Sequence, residues 1–264
     1  MNPGLDTGAI VRVLELWRHP VKSLQGERLR VATIERDGLA GDRGWGVLDA
    51  ITGKVLTGRR NPPLLMACAS LNGDGTPHIV LPDGTMTDGT GKTTDAILSA
   101  WLGRPVRLVS ANDSPAAVGE YFYDATDDTS DVLEWTMPSG RFVDTLPLQL
   151  LTTASLRAGA AALPSGDWAV RRFRPNLLIE AEGTGWPEDR WYGHALRVGT
   201  VRLTAERPCV RCSMVTRPQP GIDRDLDVYR TLLALHKGTF GMMASVTAPG
   251  TVRVGDTLEV SASP

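Results

Sequence analysis

Two cysteines two residues apart, Cys209 and Cys212, stand among cations in the segment Arg207-Pro208-Cys209-Val210-Arg211-Cys212, directly after an apolar run at 201–205 that reads as a strand. Thiolate is the form of cysteine that a soft metal takes, and the flanking Arg207 and Arg211 would favour it. A structural zinc site needs about four ligands at related spacing. Beyond this pair the chain offers only Cys68 and four scattered histidines. A redox disulfide of the thioredoxin type would sit at a helix N-terminus in an α/β pattern, whereas this pair follows a β run and precedes Pro218 and Pro220. On spacing alone, two half-buried thiols without chemistry are an equal alternative.

Three other segments put cations beside polar groups. Phe173-Arg174-Pro175-Asn176 joins a guanidinium and an amide at the entrance of the apolar run Leu177-Leu178-Ile179. His19-Pro20-Val21-Lys22-Ser23 offers an ammonium and a hydroxyl on a turn stiffened by Pro20, and Gly41-Asp42-Arg43 adds a second guanidinium. Lysine holds a phosphate as a point charge and arginine as a planar fork. Taken one at a time, each of these reads more readily as a solvated surface turn.

The elements that would position them are mostly strands. The 28 glycines and 18 prolines cut the chain into short β-like runs at 10–16, 29–35, 45–48, 64–70, 78–81 and 106–109, and again at 176–179, 195–198, 201–205, 244–247 and 257–260. Helical spacing is confined to 94–102, 154–162 and 225–236. The least periodic stretch, 111–131, reads as a mobile loop or a boundary, which divides the chain into 1–112 and 113–264. A net charge of -2 and a pI near 6.1 exclude a global basic field, so binding to nucleic acid or an anionic membrane is not expected and any anion site is local. Three cysteines point to a reducing compartment. With neither a leader pattern nor a run of about 20 apolar residues, a cytoplasmic location is the expectation.

The order HPVKS, GDR, DTLP, FRPN and CVRC, with the ending FGMMASVTAPGTVRVGDTLEV, resembles the MOSC family with its N-terminal β-barrel extension, over about residues 10–262. That family includes amidoxime-reducing proteins, reducers of N-hydroxylated purines, and the C-terminal domain of molybdenum-cofactor sulfurases. The resemblance implies a mostly β (α+β) chain, with an N-terminal β-barrel domain at 1–112 and a MOSC β-barrel domain with a few helices at 113–264. It also implies a basic cleft between the halves. Cys212 would ligate and activate molybdenum, and Lys22, Ser23, Arg43, Thr145, Arg174, Asn176 and Arg211 would contact the molybdenum cofactor (Mo-molybdopterin). Lys22, Arg43 and Arg174 would neutralise its phosphate, and Asn176 would read the polar edges of the pterin. Three positions depart from the amidoxime-reducing pattern: Leu146 and Val210 stand where those relatives carry Ser, and Met243 where they carry Tyr.

The implied activity is oxygen-atom transfer that reduces N-hydroxylated compounds or similar small oxygen donors. The chain has neither a ferredoxin cysteine spacing nor a Gly-rich nucleotide fingerprint, so a separate electron-donor protein, a reductase with a haem or iron-sulfur carrier, would be needed. The alternatives are a non-catalytic carrier of the cofactor or of sulfur, with Cys209 and Cys212 as its thiols, and a binding module with no metal.

Overall fold

Half-buried strands bury every second residue, and in the computed structural model of the chain, which describes residues 11–261, Val201, Leu203 and Ala205 are buried in this way. They belong to a sheet of eight strands in the order Leu258–Ser261, Ala195–Val198, Val201–Val210, Thr239–Ala248, Leu148–Thr152, Leu177–Glu180, Arg12–Arg18 and Glu27–Leu29. Neighbours are antiparallel except Leu148–Thr152 and Leu177–Glu180. A parallel pair needs a crossover, and the helix Thr153–Ala162 lies in it, capped by Thr152 Oγ1, which accepts from Ser155 N at 3.1 Å. At the far edge Leu258 N donates to Val11 O at 2.8 Å and Val13 N to Asp256 O at 2.9 Å, curling the sheet round a core that includes Leu16, Leu150, Leu177 and Met242. Each such side chain contributes roughly 1.5–3 kcal/mol by its burial.

The segments on either side of residues 112 and 113 share sheets. Arg12–Arg18 and Glu27–Leu29 extend the large sheet, and Val31–Glu35 pairs with Gly250–Arg253. Between them, Trp45–Asp49 pairs with Val106–Ser110, and Cys68–Leu71, Pro77–Val80 and Met86–Asp88 form a small sheet under the helix Lys92–Leu102, around Val21, Leu24, Leu64 and Ile79. The fold is mostly β, with four α-helices among the described residues. No helix among them is long and apolar enough to cross a membrane.

Several expected elements differ, for physical reasons. Residue 10 of the first expected strand lies outside the described residues. Leu64 and Leu65 sit in a 3₁₀ turn, Pro62–Met66, because Pro62 and Pro63 start a turn before the strand Cys68–Leu71 begins. The aperiodic stretch 111–131 contains a strand, since Val118–Phe122 pairs with Val132–Thr136 as a hairpin whose outer face stays exposed. Leu148–Thr152 shows no alternation because all five residues are buried, Leu150 against the sheet core and Leu151 against the aromatic cluster of Trp168, Phe173 and Phe240.

Candidate functional site

The strand Val201–Val210 runs through the cysteine segment instead of ending before it. Pro208 has no N–H to donate, and the pairing with Thr239–Ala248 slips between Ala205 and Arg207 and again between Pro208 and Val210. These bulges turn Cys209 inward, 8% exposed, while Cys212 falls just past the strand, half-buried, at the start of the 3₁₀ turn Ser213–Thr216. Cys212 opens onto a cleft of about 660 Å³ lined by all eight residues expected of the site: Lys22, Ser23, Arg43, Thr145, Arg174, Asn176, Arg211 and Cys212. Leu146, Val210 and Met243 line it too.

Backbone strain concentrates here. Five non-glycine residues among those described have left-handed φ, and three line the cleft: Ser23 (71°), Arg43 (50°) and Arg174 (55°). Arg174 closes the short helix Val170–Phe173, its N–H donating to Val170 O at 3.2 Å, and Pro175 prevents the helix from continuing. Gly41 (φ 75°) makes the turn before Arg43, and a Cβ there would lie 2.4 Å from Leu71 Cδ1. Ser23 Oγ accepts from Gly58 N at 2.8 Å, tying the Lys22 turn to the segment that carries Arg59.

The cation that faces Cys212 is Arg59, not Arg207 or Arg211. Arg59 Nε donates to Cys212 Sγ at 3.2 Å, and its guanidinium lies 4.7 Å from the ring centroid of Trp135 and 5.7 Å from that of Tyr121. Arg211 turns the other way, with Nη1 on Cys209 Sγ at 3.1 Å and Nη2 on Phe173 O at 2.7 Å. Burial pushes the Cys212 thiol up, but the Arg59 charge and hydrogen bond and the Met214 N–H outweigh this and hold it below the ordinary thiol range.

Asp144 joins the network, taking Lys22 Nζ at 2.7 Å on one oxygen and Arg59 Nη2 on the other, while Lys22 Nζ also donates to Phe142 O at 2.8 Å. Burial would raise the Asp144 carboxyl, yet Arg59 and Lys22 drive it well below the usual carboxylate range. A depressed folded-state value means stability that is present above the ordinary carboxylate pKa and lost as pH falls towards the folded one. Asp144→Asn should therefore melt below the wild type at pH 7, with the gap closing between about pH 5 and pH 2. Melting curves over that range check this, and a gap independent of pH would show that Asp144 acts by packing alone.

Seven lysine and arginine side chains line the cleft against the single carboxylate of Asp144. Burial, then the neighbouring Arg43, pull the Arg174 guanidinium down to about 9, a charge crowding that an anion would relieve. Four buried polar atoms of cleft residues have no partner: Arg174 Nη2, Arg211 Nε, Gln149 Nε2 and Trp135 Nε1. All four are donors, so a ligand bearing acceptors would satisfy them. Asn176 is not among them. Its Oδ1 accepts from Gln149 N at 3.1 Å and its Nδ2 reaches Trp17 O at 3.4 Å, so the amide expected to read a ligand edge is engaged by backbone. Lys22, expected on a phosphate, is likewise committed to Asp144, which leaves Arg174 with the clearest free donor.

Arg59, Gln149 and the hairpin residues Tyr121 and Trp135 were not anticipated. The pair Arg59-Arg60 in a turn ahead of Asn61-Pro62-Pro63, and a lone Gln in the apolar run 148–151, were the only signals. The hairpin is pinned over the cleft by Lys54, which bridges Glu120 at 2.6 Å and Glu134 at 2.5 Å, and by Arg217 on Asp128.

A curled β-sheet with a cationic, donor-rich cleft ending at a guanidinium-paired thiol defines a β protein suited to an anionic ligand that also takes a sulfur donor. The chain belongs to the MOSC family: the sequence model of the MOSC domain matches residues 139–259, and that of the MOSC N-terminal beta barrel domain matches residues 10–133. It is 26% identical over 254 residues to a molybdenum cofactor sulfurase of Drosophila grimshawi, covering 89% of this chain and 32% of the sulfurase. It is 25% identical over 294 residues to the mitochondrial amidoxime-reducing component 1 of Mus musculus, covering 92% of this chain and 80% of that protein. The chain thus spans about a third of the length of the sulfurase it matches. Among solved structures, the YuaD protein of Bacillus subtilis superposes with a TM-score of 0.48 at 12% identity, covering 96% of this chain and 97% of that one.

Proposed function

We propose that the cleft holds the molybdenum cofactor and that the chain is an oxidoreductase reducing N-hydroxylated compounds or similar small oxygen donors. The observation that carries this reading is the convergence of Cys212 with unpartnered cationic donors in one cleft. The donor set fits the group: a thiolate for a soft metal, and Arg174 Nη2 and Arg211 Nε for phosphate or ring oxygens. Lys22, Ser23, Arg43, Thr145 and Arg211 would complete the contacts, with Asn176 acting through the backbone it holds. When bound, the cofactor would supply two-electron oxygen-atom transfer. Arg59 favours the thiolate of Cys212 and orients the sulfur, Asp144 holds Arg59 and Lys22 in register, and the hairpin rings restrict water. Electrons would come from a separate donor protein and the oxygen from a small-molecule substrate.

One observation favours a second reading, a non-catalytic carrier of the cofactor or of sulfur: Leu146, Val210 and Met243 replace hydroxyls by an apolar wall on the cleft. Protein made in a cofactor-competent host, assayed for molybdenum and pterin and then with an artificial reductant against hydroxylamines, amidoximes and N-oxides, separates the two. The expected result is a loaded protein that turns over an N-hydroxylated substrate, with turnover abolished in Cys212→Ala. Loaded but inert protein establishes the carrier, and protein that takes up neither molybdenum nor pterin refutes both.

A further inference from the structure

Gln149 is the polar residue in the middle of Leu148-Gln149-Leu150-Leu151, on a strand buried along its whole length. It is 7% exposed and lines the cleft, yet its Nε2 has no hydrogen-bond partner. A buried amide without a partner is a standing cost that methionine, the apolar residue nearest to glutamine in shape, would remove. The surroundings nevertheless keep space for it. Gly241, on the facing strand Thr239–Ala248, has φ 86°, and a Cβ there would sit 3.3 Å from Gln149 Nε2 and 2.6 Å from Leu150 O. Asn176, the other amide at this place, is bonded to the Gln149 N–H itself, so it fixes the strand from which the Gln149 side chain extends.

We infer that Gln149 is the ligand-reading amide of the cleft, donating from Nε2 to an acceptor on the edge of a flat heterocyclic ligand, with Asn176 as its positioning residue. The inference rests on the reading that the cleft takes a pterin cofactor, and it moves the edge contact from Asn176 to Gln149. The unpartnered donors Arg174 Nη2 and Arg211 Nε then serve the more negative part of the same ligand. The contact is one of recognition, because Gln149 has no group that titrates or attacks near neutral pH.

The test is Gln149→Met, the apolar variant nearest in shape, with Gln149→Leu as a second variant, each made in a cofactor-competent host and also as cofactor-free protein. Pterin and molybdenum per chain, and the rate of pterin loss on dilution, are read against the wild type. Melting temperature is read on the cofactor-free protein. The expected result is pterin loss about tenfold faster, with the melting temperature of cofactor-free protein unchanged or raised. A structural role for Gln149 would instead lower that melting temperature, and this outcome in both variants overturns the inference. Variants that hold pterin as long as the wild type overturn it too, while leaving the proposed function intact. A wild type that carries no pterin overturns the proposed function, and the inference with it.

Discussion

Cys212→Ser protein from a cofactor-competent host is expected to retain at most about a tenth of the wild-type molybdenum, whereas Cys209→Ser retains most of it. Loss of residues that only support a metal's ligands costs about 10–100-fold in affinity, so loss of the proposed ligand itself should cost at least that much. The environments of the two sulfurs set the difference. Cys212 borders the cleft, and its thiol is held below the ordinary range chiefly by Arg59, against the opposing effect of burial. Cys209 also lines the cleft but is buried and accepts from Arg211 Nη1, a bond that serine can keep. Metal analysis on matched, folded preparations checks this. Equal loss in both variants would replace the single-thiolate site by a two-thiol site. Arg59→Gln should fall between them, because it keeps the neighbouring groups but removes the charge that favours the thiolate.

Arg174→Ala is expected to weaken cofactor retention about ten- to a hundredfold, which corresponds to the roughly 1.5–3 kcal/mol of a charge-assisted hydrogen bond. Arg174 is 6% exposed, spends Nη1 on Leu24 O at 2.6 Å and leaves Nη2 free. Its crowded charge gives an anion a further gain. A control lysine must stand clear of the cleft and its hairpin, which excludes Lys54, because it pins the hairpin that carries Tyr121 and Trp135 through Glu120 and Glu134. Lys92, exposed at the start of the helix Lys92–Leu102, is the better one. Pterin loss from Arg174→Ala matching that from Lys92→Ala would move the phosphate elsewhere in the cleft. Lys54→Ala should show an intermediate defect, with Trp135 fluorescence reporting the displaced hairpin.

Residue type and spacing alone determined a good deal about this protein. The cysteine segment, the three cation-bearing turns and the mostly β pattern were legible because each depends on neighbours within a few residues: a turn needs its glycine or proline, a half-buried strand its alternation. The left-handed backbone at Ser23, Arg43 and Arg174 belongs to those same turns. The tertiary structure alone decided which groups meet. Arg59 reaches Cys212 across 153 positions, Lys22 reaches Asp144 across 122, and Asn176 spends its amide on Gln149, 27 residues before it. Periodicity reports that a face is buried, not which distant element covers it. An uninterrupted buried run such as 148–152 hides even which of its faces meets a cleft. Arg211, adjacent in sequence to Cys212, faces Cys209 because the strand bulges at Pro208, and the cation beside the Cys212 thiol therefore comes from the segment that sheet closure brings against it.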